Sequence, residues 1–174
     1  MPGVIDLEQA QAGDLVFCHS KGIIGRAIRL GEWIRWRGGS AHNHVAVLDT
    51  KQLDGWTVIQ AEARGVTAGS KLATIAPGGS YVIVQAPEGV DRDKVLAFAR
   101  GQVGDCYGYV AIASVIVTIL TPWFVNVTLP FTWICSAVSA ESLRAGGWIH
   151  RWGSVESVTP AQLWEALVGT PAGK

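Results

Sequence analysis

Three cysteines and four histidines carry the nucleophilic chemistry open to this chain of 174 residues. A cysteine becomes a good nucleophile where a helix N-terminus and a nearby imidazole favour its thiolate. Cys135 stands where a helix is predicted to begin, in Trp133-Ile134-Cys135-Ser136-Ala137. Its competing assignment is a buried structural thiol, a common fate for this residue type. Cys18 follows a predicted strand and reads as core, and Cys106 lies in a predicted loop and reads as exposed. The base has to come from elsewhere in the chain. His44 heads Val45-Ala46-Val47, a predicted strand and therefore a rigid support, and His42 lies two residues earlier. His19 and His150 read as surface or otherwise satisfied histidines. A third polar group is needed to orient the imidazole. Gln60 and Glu62 fall on one face of the next predicted strand, opposite Ile59 and Ala61. If that strand pairs with the His44 strand, either side chain reaches the far ring nitrogen. Glu62 would also stabilise an imidazolium, whereas Gln60 would only orient it. The competing assignment is that both face solvent.

The elements that must hold these residues follow from periodicity and breakers. Short strands are predicted at Asp14 to Phe17, His44 to Asp49, Trp56 to Ala63 and Ser80 to Gln85, with a hairpin turn around Lys51 to Gly55. Helices are predicted from Gly22 to Trp36, from Asp91 to Gly101 with Asp91 as N-cap, and from Ile134 to Ala145, stopped by Gly146-Gly147. A last helix opens at Thr159-Pro160 and runs through Leu167. Residues 1–11 read as a poorly specified lead-in. Strands mixed with helices in this order argue an α+β fold.

Composition narrows the function classes. Lys plus Arg and Asp plus Glu balance at 14 each, so the chain has no electrostatic footprint for nucleic acid, and Arg26, Arg29, Arg35 and Arg37 read as a solvated helix face. The cysteines are too few and scattered for a disulfide framework, and no spacing suggests zinc, another metal or a cofactor. No basic region followed by an apolar run marks a signal peptide near Met1, so a cytoplasmic or phage-virion location is expected. No charge occurs between Asp105 and Glu141, and Tyr109 to Val127 is almost wholly apolar. The stretch is about as long as a bilayer span, but Pro122 and Pro130 interrupt it. A buried helix followed by an apolar loop is the expectation.

The order of these pieces resembles the permuted branch of the NlpC-type papain-like superfamily, which holds the YiiX-like proteins and the lecithin–retinol acyltransferase-like enzymes. The resemblance rests on Gly13-Asp14-Leu15-Val16-Phe17, then Asn43-His44-Val45-Ala46-Val47, then Val58-Ile59-Gln60-Ala61 with Gly65-Val66. It continues through Gly104-Asp105-Cys106-Tyr107-Gly108, Ile134-Cys135-Ser136-Ala137-Val138 and Val158-Thr159-Pro160 with Leu163, and so covers about residues 12–168. It implies a single domain over residues 1–174, with a small antiparallel sheet packed by helices, the histidine strand before the cysteine helix, and an apolar insertion at about 109–132. It implies Cys135 as nucleophile and His44 as general base. Gln60 falls at the third polar position, where YiiX-like members commonly carry glutamate. Position thus favours Gln60 and electrostatics favour Glu62. Tyr107 is expected at the pocket wall or as an oxyanion donor, and Ser136 beside the nucleophile is assigned to the same substrate pocket. The activity implied is amide or peptide hydrolysis without cofactor, with cell-wall peptides as the commonest substrate. The relatives leave two other readings: a lipid-directed acyltransferase or thioesterase, and an inactive structural or binding module whose apolar segment 109–132 contacts a membrane or a phage assembly.

Overall fold

The computed structural model describes residues 3–19, 42–108, 132–150, 155 and 158–169. In chain order these form β1 (Val4–Ile5), β2 (Leu15–Cys18), β3 (His44–Gln52), β4 (Gly55–Glu62) and β5 (Gly65–Lys71). The one-turn helix α1 (Leu72–Ile75), β6 (Tyr81–Val84), α2 (Arg92–Gly101), β7 (Cys106–Tyr107), β8 (Thr132–Trp133), α3 (Cys135–Ala145) and α4 (Pro160–Val168) follow. The fold is mixed α+β. Its main sheet has six strands in the order β1-β6-β2-β3-β4-β5, every neighbouring pair antiparallel. The predicted helix from Gly22 to Trp36, its arginine cluster and nearly all of the apolar segment 109–132 lie outside the described residues.

Strand alternation sorts the core into two clusters, one on each face of the sheet. Leu15, Phe17, Val45, Val47, Ile59, Ala61 and Val84 face α2, α3 and α4. Val16, Cys18, Ala46, Leu48, Val58 and Ile83 face the other way, with Leu72 of α1 among them. Burial on both faces explains why β2 reads as an unbroken apolar run rather than an alternating one.

Helix α3 is central to the helical layer. It packs on β3 and β4 and between α2 and α4, so all but a few of its residues are buried. Small side chains make that close packing feasible. Ser139 and Ser142 satisfy their buried hydroxyls by donating back to the carbonyls of Cys135 and Val138. Gly146 ends the helix against α2. A Cβ there would lie 2.6 Å from side-chain atoms of Val90 and Val95, and the Gly146 carbonyl accepts from Asp91 N–H at 2.8 Å. Asp91 caps α2 through Lys94 N–H, and Thr159 with Gln162 forms a reciprocal capping box on α4.

Four strands were not expected from the residues alone. β5 carries Val66-Thr67-Ala68-Gly69-Ser70, with no apolar alternation, because it is an edge strand buried only where it begins. β1, inside the lead-in, adds a two-residue edge to β6. The loop expected at Gly104 to Gly108 contains β7, which pairs in parallel with β8. Its preceding backbone docks on β5: Val66 N–H donates to the Asp105 carbonyl at 2.9 Å, and Gly104 N–H to the Val66 carbonyl at 3.0 Å.

Candidate active site

Cys135 is the first residue of α3, and its residue is 2 % exposed. No side chain caps this helix start, so its first-turn N–H groups are available to a negative charge. His44 is the first residue of β3 and hydrogen-bonds the Cys135 thiol. His44 Nε2 lies 2.7 Å from Gln60 Oε1 on β4. An amide oxygen only accepts, so Nε2 carries the proton and Nδ1 is left for the sulfur.

The sheet opens to admit the thiol. Leu48 N–H donates to the Asp14 carbonyl just before β2, so by alternation the N–H of Val45 points the other way, toward β4. Carried onward, the β3–β4 register would set Val45 opposite Ala61, yet the ladder begins only at Val47↔Ile59. The Val45 N–H turns instead to the sulfur of Cys135. His44 and Gln60 belong by alternation to the sheet face away from α3, and they meet the helix start at this gap.

Electrostatics follow from the geometry. Burial alone would raise the Cys135 thiol. The charge and hydrogen bond of His44, with the backbone N–H groups of Val45 and Ser136, outweigh burial and hold the thiol below its ordinary value. Burial would likewise lower His44. The negative sulfur, its hydrogen bond, the Gln60 bond and the charge of Glu62 outweigh that and raise it. The two shifts together favour a thiolate–imidazolium pair, which titrates as a unit. Cys18 sits directly across the ladder from His44 and is pushed up to about 12, by burial first and by Cys135 second. It remains a neutral thiol.

The structure therefore brings Cys135, His44 and Gln60 into direct contact and places Glu62 within electrostatic reach at the end of β4. The two residues expected at the pocket are both buried. The Ser136 side chain is fully buried, and its hydroxyl donates to the Val158 carbonyl, tying the segment before α4 to α3. Only its backbone N–H faces the site. Tyr107 is buried within the core cluster beneath the helices, because β7 docks it there beside Trp133. His42 stacks on Trp164 at 5.0 Å and packs near Phe17, and burial holds it below its ordinary value. His150 stacks on Trp148.

The Val45 N–H was not foreseen from the residues, because only the register of the β3–β4 ladder exposes it. Among the described residues no group of three or more His, Cys, Asp or Glu side chains could hold a metal ion, and no helix is long and apolar enough to cross a membrane. No family model matches the chain, and no curated protein matches it.

Proposed function

We propose that this protein is a cysteine hydrolase that cleaves an amide or peptide bond through a thioester on Cys135, on a permuted papain-like fold. The observation that carries the reading is the hydrogen-bonded Cys135–His44 pair at an uncapped helix start, backed by Gln60 at 2.7 Å. The histidine strand β3 precedes the cysteine helix α3 in the chain, the order of the permuted branch.

The thiolate attacks the carbonyl carbon and forms the C–S bond. The resulting oxyanion faces the backbone N–H of Cys135 at the start of α3. Proton transfer from His44 to the leaving nitrogen accompanies C–N cleavage and releases the amine. Water then gives a proton to the neutral imidazole and attacks the thioester. The acid departs, and Cys135 and His44 return to their starting state. Gln60 holds the ring throughout. Peptides of the bacterial cell wall are the first substrates to assay. Acyl release from dispersed lipid without peptide cleavage would instead assign the site to lipid acyl transfer, through the same thioester.

The testing experiment is iodoacetamide alkylation as a function of pH, read cysteine by cysteine by peptide mass spectrometry. An ordinary thiol titrates near ~8.5, whereas a histidine-paired nucleophile falls to roughly 3.5–7.5. Cys135 is expected to label fast at about pH 6 in the wild type and slowly in His44→Ala. Exposed Cys106 and buried Cys18 provide an accessible and a silent control within the same molecule. Ordinary-thiol behaviour at Cys135 in both proteins would remove the dyad and leave a binding module.

A further inference from the structure

The Cys135–His44 pair depends on which end of the Gln60 carboxamide meets the imidazole. With Oε1 toward Nε2, the ring can carry both protons. With the NH2 group there instead, Nε2 would have to accept, and the imidazolium would lose its partner. The two ends of a carboxamide are nearly equal in size, so packing alone does not choose between them. The choice falls to whatever accepts from the NH2 group.

The β4–β5 ladder supplies one acceptor. Thr67 lies directly across from Gln60, and the flanking pairs Ala61↔Val66 and Glu62↔Gly65 keep that register up to the turn. Residues opposed in an antiparallel pair share a face, with their Cβ atoms about 4.5–5.5 Å apart. Gln60 is 3 % exposed. The Thr67 hydroxyl is itself buried, and it has no hydrogen-bond partner among the described residues. A buried hydroxyl without a partner is unfavourable enough to need an explanation. Thr67 Cβ branching fits a strand, but valine would fit as well without burying an oxygen.

We propose that Thr67 is a positioning residue for Gln60: its hydroxyl takes the carboxamide NH2 through one bridging water and so keeps Oε1 on His44. The inference rests on the dyad reading above. It extends the site by one strand, from β4 to β5.

The test is a double-mutant cycle read on the pH profile of Cys135 alkylation. Thr67→Val removes the hydroxyl at nearly constant volume. It is expected to slow labelling at about pH 6 some three- to tenfold and to move the acid limb to higher pH. Thr67→Ser is expected to restore the wild-type profile. In a Gln60→Ala background, Thr67→Val is expected to change nothing further. Thr67→Ala gives the same reading if the valine variant does not fold. An unmoved profile in Thr67→Val overturns the inference and leaves the dyad standing, as does an equal shift with and without Gln60. An ordinary-thiol profile in the wild type overturns both.

Discussion

At His44 two groups from one strand support the same protonation state by different means. Gln60 does so through a buried hydrogen bond of 2.7 Å, and Glu62 through charge from a half-exposed position at the end of β4. Removing either lowers the His44 pKa and raises that of Cys135. The acid limb of thiolate reactivity therefore moves up in pH, and the limb set by the imidazolium proton moves down. Gln60→Ala is expected to cut Cys135 alkylation at about pH 6 by about tenfold, the worth of one buried hydrogen bond to a charged ring. Glu62→Gln is expected to cut it less than about fivefold, and raised salt is expected to mimic it, since an exposed charge is screened. A salt-insensitive Glu62→Gln would argue for a direct contact instead. Cys135, His44 and Gln60 were legible in the sequence because each sits at an identifiable start or face of an element. The burial of Ser136 and Tyr107 was not. Adjacency in the chain says nothing of where a helical side chain points, and Tyr107 took its place from the pairing of β7 with β8, a contact between distant segments.

Among the elements, the turn from β4 into β5 is the tightest constraint. Gly65 has φ +110°, and a Cβ there would meet the Asp105 carbonyl oxygen at 2.3 Å. That carbonyl accepts from Val66 N–H, so the contact cannot relax without undocking the segment before β7. Gly65→Ala is expected to destabilise the protein by about 2–3 kcal/mol, from backbone strain and the clash together, measured by urea unfolding. The same variant is expected to disturb Trp133 fluorescence, because the Trp133 indole donates to the Asp105 carboxylate at 2.9 Å. Native stability with unchanged fluorescence would show that the loop docks by other means. The long apolar strands β2, β3, β4 and β6 were legible by pattern, within one to three residues at their ends. β5 was not, because an edge strand with one neighbour needs no apolar period, and its place is set by the glycine turn and by the docking of 104–105.

For the whole molecule, Asp14 joins parts of the chain that are far apart. Its side chain is fully buried and accepts from Gln11 N–H and Ala86 N–H at 2.8 Å each. Arg92 at the start of α2 pairs with the same carboxylate at 2.7 Å and also donates to the Ala12 carbonyl. One carboxylate thus fastens the lead into β2, the exit from β6 and the first turn of α2. The motif Gly13-Asp14 was legible as part of a resemblance, but its task was not, because two of its partners, Ala86 and Arg92, lie more than 70 positions away. Asp14→Ala would strand the Arg92 cation and two backbone donors. It is expected to cost about 3–5 kcal/mol in thermal or urea unfolding. A second joint has a different kind of consequence. β7 and β8 clasp each other through Cys106↔Thr132 and Tyr107↔Trp133, and Cys135 follows two residues after that clasp. The two strands that bound residues 109–131 are therefore held together close in the chain to Cys135. By loop-closure entropy alone, a change in the length of chain between β7 and β8 carries little penalty for that pairing.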